Sequence, residues 1–69
     1  MTDWQDRVVA EQTDLNGKIA RLEAFRGGDL YRELPVEERG RLTAQLMFMR
    51  GYAEMLRQRI DINAWEHAE

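Results

Sequence analysis

The chain contains no cysteine, no serine and a single histidine. Without cysteine no disulfide can form, and no thiolate can bind a metal or act as a nucleophile. Without serine, a Ser/His/Asp triad is excluded as well. His67 alone cannot hold a metal without several carboxylate ligands. We therefore expect a protein that is not an enzyme and that uses no metal and no cofactor.

Long apolar segments are also missing from the sequence. No run of about 18 apolar residues is present, so we expect no membrane-spanning helix and no membrane partner. No apolar segment follows a basic start, so we expect no signal peptide. Both expectations favour a cytoplasmic protein.

The sequence has no excess of positive charge: 13 acidic residues outnumber 10 basic ones, and the net charge is −3. Proteins that bind nucleic acid usually present a basic surface, so we expect no binding to DNA or RNA. Nine of the ten basic residues are arginine, and only Lys18 is lysine. Arginine is better suited than lysine to bidentate binding of phosphate and carboxylate groups. GC-rich coding nevertheless explains the larger share of this bias.

Apolar side chains at helical spacing predict a first helix over residues 3–26. Four of them fall on one face of it: Val8, Leu15, Ile19 and Leu22. Gly27 and Gly28 predict its end, because glycine readily adopts the left-handed conformation that often terminates a helix.

Pro35 predicts the start of a second helix over residues 35–60, because proline is favoured at the first helical position. This helix carries an unbroken heptad seam of apolar residues: Leu42, Leu46, Met49, Ala53, Leu56 and Ile60. Residues 29–34 form a connector with room for one helical turn. Its apolar side chains are expected to cover the end of the core: Leu30, Tyr31 and Leu34.

Two helices of similar length and a short connector predict an all-α fold, an antiparallel two-helix hairpin. We expect a single domain over residues 1–69. Residues 61–69 form a tail that either frays or packs on a partner through Ile62 and Trp65.

The chain has more apolar side chains than a two-helix hairpin can bury. With 69 residues and no disulfide or metal, it is too small to form a comfortable core alone. We therefore expect self-association into an oligomeric helical bundle. The candidate interface residues lie outside the hairpin seam: Phe25, Gly40, Ala44, Met47, Phe48, Gly51 and Met55.

Two of these residues, Gly40 and Gly51, share one row on the second helix with Ala44 and Met47. A glycine inside a helix costs about 1 kcal/mol relative to alanine. Two such residues in one row favour the close approach of another helix or a flat ligand. The alternative is that both glycines are tolerated on a solvated face.

Many charged residues have an ordinary explanation in helical ion pairs. An acid four residues before a base stabilises a helix by about 0.2–0.5 kcal/mol. Three such pairs are present: Asp3–Arg7, Asp14–Lys18 and Glu37–Arg41. Arginines without this arrangement include Arg21, Arg26, Arg50, Arg57 and Arg59. Arg50 and Arg57 lie two turns apart beside Glu54, which suits an anion-binding face, although a solvated charged face explains each of them as well.

A pattern of helix positions extends over residues 4–60 and contains no catalytic motif. It reads Trp4-Gln5-x-Arg7-Val8, Leu15-x-x-Lys18-Ile19-x-x-Leu22-x-x-Phe25 and Leu42-x-x-Gln45-Leu46-x-x-Met49-x-x-Tyr52-x-x-x-Leu56-x-x-Arg59-Ile60. This pattern resembles a family of small proteins of tailed phages and prophages, the crAssphage-related short proteins. In size and shape the chain is also similar to phage anti-CBASS sponge proteins. Those are small helical hairpins that form oligomers and trap cyclic nucleotide immune signals between protomers.

The resemblance implies a phage accessory protein, and together with the surplus apolar rows and the arginine bias it favours a counter-defence protein in the cytoplasm of the infected bacterium. It would sequester a cyclic dinucleotide, a cyclic trinucleotide or a cyclic ADP-ribose-type signal without catalysis. Basic residues would hold phosphates, and Trp4, Tyr52 or Phe48 would stack on bases. The candidate ligand-binding residues are Trp4, Arg7, Lys18, Arg21, Arg50, Tyr52 and Arg57. The alternative is a small helical inhibitor or adaptor that binds a host protein through an apolar helix face.

Overall fold

The computed structural model describes residues 3–61, which form two long helices and a short one between them. Helix α1 spans Asp3–Arg26, α2 spans Asp29–Glu33 and α3 spans Val36–Ile60. Helices α1 and α3 pack side by side as an antiparallel hairpin, with overall dimensions of 50 × 15 × 14 Å. The predicted all-α hairpin, including the helical turn between its long helices, is confirmed.

The turn after α1 differs from the prediction for Gly27 and Gly28. Neither glycine has a positive φ. Their amides donate hydrogen bonds to the carbonyls of Ala24 and Phe25, at 3.2 and 3.0 Å. Gly28 has an extended conformation, with φ −96° and ψ 171°, and directly precedes α2. The left-handed ending was a wrong prediction, because the chain extends at Gly28 to begin a second helix instead of reversing there.

Pro35 immediately precedes the second long helix, whereas it was predicted to be the first residue of that helix. Its φ of −56° suits a helix, but its ψ of 150° is extended, so it is the N-cap residue and Val36 is the first helical residue. Glu37 and Glu38 follow in the first turn, where negative charge interacts favourably with the helix dipole.

The core of the hairpin lies where the predicted apolar face of α1 meets the heptad seam of α3. Within residues 3–61, four side chains are buried: Val8, Leu15, Leu46 and Leu56. Half-buried residues pack around Val8, Leu15 and Leu56: Ile19, Met49, Ala53 and Ile60. Burial of one such aliphatic side chain stabilises the fold by roughly 1.5–3 kcal/mol.

Helix α2 closes the turn end of the hairpin through Tyr31. The Tyr31 hydroxyl donates to the carbonyl of Arg39 at 3.2 Å and shares a 3.0 Å hydrogen bond with the Thr43 hydroxyl. Its ring meets Phe25 edge to face, with centroids 6.1 Å apart. Tyr31 is half-buried, as predicted. The prediction for Leu30 was wrong, because this side chain is 67% exposed on the outer side of the short helix.

Polar contacts between the long helices fix their register. The Tyr52 hydroxyl donates to the Glu11 carboxylate. The next residue on each helix is also paired, because the Gln12 amide donates to the Ala53 carbonyl at 3.5 Å. Two successive contacts of this kind specify which turn of α1 faces which turn of α3.

None of the helices within residues 3–61 is long and apolar enough to cross a membrane. The predictions for Ile62, Trp65 and His67 concern positions outside the described residues.

We predict that Leu56→Ala lowers the free energy of unfolding by about 2–5 kcal/mol, because Leu56 is 0% exposed and its truncation leaves a cavity. Chemical denaturation at fixed protein concentration measures the change. Leu30→Ala is the matched control and is expected to change stability by less than about 0.5 kcal/mol. Equal effects of the two substitutions would contradict this description of the core.

The two tyrosines are predicted to ionise at different pH values. The hydrogen bond to the Glu11 carboxylate raises the pKa of Tyr52, whereas the hydrogen bond from Thr43 lowers the pKa of Tyr31. In a titration followed by tyrosinate absorbance, Tyr31→Phe leaves a transition above the ordinary pKa of about 10. Tyr52→Phe leaves one below it.

The raised pKa of Tyr52 has a consequence for folding. Its hydrogen bond stabilises the fold fully below the ordinary pKa, and this stabilisation is lost as the pH rises through the folded-state pKa.

The control for the titration is Glu11→Gln, made in the Tyr31→Phe background. It should bring the remaining tyrosine transition back towards about 10. Identical transitions in both tyrosine variants would refute the two contacts.

Candidate functional site

An open apolar groove of about 560 Å³ runs along one flank of α3. It is lined by Arg41, Ala44, Gln45, Phe48, Met49 and Tyr52. Phe48 is 78% exposed and Tyr52 is 44% exposed, although aromatic side chains of this size are usually well covered. We call this surface the apolar groove.

One edge of α1 lies beside the flank that carries the apolar groove. Trp4, Glu11, Lys18 and Phe25 follow one another at intervals of seven residues, which keeps them on one side of the helix. The hydrogen bond between Tyr52 and Glu11 places this side next to the groove. Trp4 and Phe25 are 40% and 37% exposed, so they extend the apolar surface onto α1.

The outer side of α3 carries the row formed by Gly40, Ala44, Met47 and Gly51. Gly40 and Gly51 are exposed, and a Cβ atom added at either glycine would meet nothing within 4 Å. Met47 and Met55 beside them are 66% and 50% exposed. The close approach that these glycines predict therefore does not occur within one chain, among the residues that the structure describes.

The opposite flank of the hairpin holds a polar groove of about 370 Å³ between α1 and α3. Its lining residues are Gln12, Asn16, Ile19, Arg50, Ala53, Glu54 and Arg57. Arg50 and Arg57 both face this polar groove, so the spacing of two turns places two guanidinium groups on one surface.

Both arginines of the polar groove have carboxylate partners. Arg50 pairs with Glu23 across the helices. The Nε atom of Arg57 donates to both carboxylate oxygens of Glu54, at 3.1 and 3.0 Å. The Arg57 hydrogen bonds, with a further one from Gln58, lower the pKa of Glu54. These pairs are exposed, where an ion pair contributes about 0–1 kcal/mol, so an anionic ligand can displace either carboxylate at small cost.

The remaining predicted ligand-binding residues lie apart from the polar groove. Tyr52 lines the apolar groove, and Trp4 lies on the neighbouring edge of α1. Lys18 is paired with Asp14 at 3.4 Å, as its spacing predicts. The structure therefore brings Arg50 and Arg57 together but distributes the other candidates over different surfaces.

Arg7 and Arg21 are exposed on α1. The Arg21 side chain folds back along the helix, so that a Cβ atom added at Gly17 would lie 3.5 Å from its Nη1 atom. Their roles in ligand binding stay predictions.

Two polar residues of the groove, Gln12 and Asn16, were not predicted as site residues. Gln12 precedes Ile19 on α1 by seven residues and Asn16 precedes it by three, so both lie at the border of the apolar face. Polar amides along the edge of a buried stripe were the signal that could have indicated them. The predicted pair Glu37–Arg41 is also corrected, because Arg41 pairs with Glu38 at 3.5 Å, one residue nearer along the helix.

Comparison with known proteins gives one family. A model of the Sequestin family matches residues 2–62, which is most of the chain. Searches of curated proteins and of solved structures give no match. The family name is consistent with a protein that sequesters a ligand, whereas the resemblance to tailed-phage short proteins stays a prediction. Because the match covers far more than half of its residues, the chain belongs to the Sequestin family.

Proposed function

We propose that this protein is a phage-encoded counter-defence protein that sequesters a cyclic nucleotide-type immune signal without catalysis. It would act in the cytoplasm of the infected bacterium on a cyclic dinucleotide, a cyclic trinucleotide or a cyclic ADP-ribose-type molecule. The observation that carries the proposal is the Sequestin match over residues 2–62. The two grooves supply the chemistry that such a ligand requires.

A cyclic nucleotide offers flat bases and charged phosphates, and the hairpin presents groups for each on opposite flanks. Tyr52 and Phe48 can stack on bases, and Arg50 and Arg57 can bind phosphates through paired hydrogen bonds. At about 100° per residue, Arg50 and Tyr52 lie about 200° apart around α3. One protomer cannot bring both groups to one small ligand, so we propose that the ligand binds between protomers.

The exposed apolar residues favour the same arrangement. Phe48 and Met47 are 78% and 66% exposed, and their burial against a second copy would remove apolar surface from water. The open backbone at Gly40 and Gly51 allows another helix to approach closely. We propose that these residues contribute to the interface of a homo-oligomer, together with Phe25, Ala44 and Met55.

A sequestering role needs tight binding and no bond cleavage. Without serine or cysteine, a nucleophile would have to be another group, and Glu54 of the polar groove is held by Arg57. We therefore propose that the protein retains its ligand unchanged.

A second candidate is a helical inhibitor or adaptor for a host protein. The apolar groove favours it, since an amphipathic partner helix can insert apolar side chains into a groove of this kind. A partner of this type would compete with self-association for Phe48. A purified chain that stays monomeric and binds none of the cyclic nucleotides would favour this candidate over the first.

We predict that the purified chain is an oligomer whose mass is a multiple of 8.2 kDa, and that Phe48→Lys shifts it towards the monomer. A lysine would place a charge in the apolar contact without opposing helix formation. Size-exclusion chromatography with light scattering at micromolar concentration measures the mass. Leu30→Lys, at a side chain that is 67% exposed, is the control and should leave the mass unchanged. A monomeric wild-type chain would contradict the prediction.

We predict that calorimetry detects binding of at least one ligand in a panel of cyclic di- and trinucleotides and cyclic ADP-ribose isomers. Arg50→Gln and Arg57→Gln should each weaken that binding by about tenfold or more, because each removes a charged hydrogen bond to phosphate. Arg32→Gln is the matched control. Like Arg57, Arg32 is exposed and forms an ion pair with the acidic residue three positions before it. Absence of binding across the whole panel would refute the proposed function.

A further inference from the structure

Residues from three helices meet at the turn end of the hairpin, away from both grooves. Arg26 is the last residue of α1, Tyr31 lies in the middle of α2, and Arg39 lies in the first turns of α3. The Arg26 guanidinium carbon lies 5.9 Å from the centroid of the Tyr31 ring. The Tyr31 hydroxyl in turn contacts the backbone of Arg39. We call these residues the turn cluster.

The arginines of the turn cluster have no carboxylate partner among residues 3–61. Three acidic side chains at this end of the hairpin are engaged by other bases: Glu23 by Arg50, Asp29 by Arg32 and Glu38 by Arg41. Arg26 and Arg39 are both half-buried, so part of each guanidinium stem is shielded from water. Two partly shielded positive charges at the same end of the hairpin would be stabilised by a nearby anion.

The Nε atoms of Arg26 and Arg39 give a second, independent indication. Both are shielded from solvent, and neither has a hydrogen-bond acceptor within the described part of the chain. More than about 90% of buried polar groups in proteins have a partner, so two such donors in one cluster are unusual. The Thr43 hydrogen bond, with smaller contributions from the Arg26 and Arg39 guanidinium groups, lowers the pKa of Tyr31.

We propose that Arg26 and Arg39, positioned around Tyr31, form a binding site for a phosphate group. Phosphate suits the cluster because its oxygens accept paired hydrogen bonds from planar guanidinium groups and its charge offsets both cations. The phosphate can be a free ion or part of a small phosphate ester. The site uses none of the residues assigned to the proposed function, so it does not depend on a cyclic nucleotide.

The test uses the full chain, labelled with ¹⁵N and titrated with inorganic pyrophosphate at low ionic strength. Arginine Nε–Hε groups give their own resonances, so Arg26 and Arg39 report directly on an acceptor. We expect saturable shifts of both resonances, with little change at Arg50 and Arg57. Added salt should weaken the binding, because the cluster remains partly open to solvent.

Variants then separate a built site from diffuse positive charge. Arg26→Gln and Arg39→Gln should each weaken pyrophosphate binding by about tenfold or more. Arg32→Gln removes an equal charge from the same end of the hairpin, next to Tyr31, and should change the affinity by less than about twofold. Equal losses in all three variants would overturn the inference, as would shifts confined to Arg50 and Arg57 or no saturable shift at all.

Two further titrations distinguish the source of the phosphate from the proposed function. Tighter binding of adenosine monophosphate than of inorganic phosphate would identify a phosphate ester as the ligand, and the reverse order would identify the free ion. A chain that binds pyrophosphate at the turn cluster but no cyclic nucleotide retains this site and loses the proposed function. A chain that binds a cyclic nucleotide but shows no saturable shifts at Arg26 and Arg39 with pyrophosphate retains the function and loses this site.

Discussion

Two packed helices can bury only the sides that face each other, and this limit determines the rest of the molecule. Among residues 3–61 this limit leaves four side chains buried, with Leu46 and Leu56 the most enclosed. A core of this size offsets little of the conformational entropy lost on folding, which is about 1.5 kcal/mol per ordered residue. Outside the core, Phe48 has the highest exposed fraction of the large apolar side chains in the described part of the chain, 78%. In the proposed oligomer, burial of such side chains would stabilise the fold and the assembly together.

The fold could be predicted because its signals are local. Leu46 and Leu56 belong to a seam whose period matches the helix, and such a period survives in almost any packing. Predictions failed where the outcome depends on the next element. Gly28 adopts an extended conformation because α2 follows at once, whereas a glycine that ended a helix before a true loop would have been free to take the left-handed conformation. Leu30 lies on the outer side of that same short helix, which apolar character alone could not reveal.

The binding surfaces were less predictable, because their partners come from the other helix. Arg50 and Arg57 share a face by simple periodicity, and the sequence was sufficient to indicate it. The ion pair between Glu23 and Arg50 depends on the register of α1 against α3. This register cannot be predicted from the spacing of residues within one helix. The same holds for Glu11, which interrupts an apolar row in sequence but accepts a hydrogen bond from Tyr52 in the structure. Register is a property of two helices, so contacts that depend on it appear only once both are placed.

The arginines of this hairpin differ in what a phosphate must displace to reach them. At Arg57 the phosphate competes with Glu54, whose pKa is lowered by that contact, so the carboxylate stays charged and competes through the neutral pH range. At Arg26 no carboxylate within residues 3–61 competes, and the shielded Nε donor gains an acceptor that it otherwise lacks. Binding at Arg57 favours a ligand with several contacts, because the phosphate must first break an exposed ion pair, although that pair is weak. Binding at Arg26 favours a single phosphate, because one group satisfies both donor and charge. Under the two proposals, this small chain would present two kinds of anion site without extending its core.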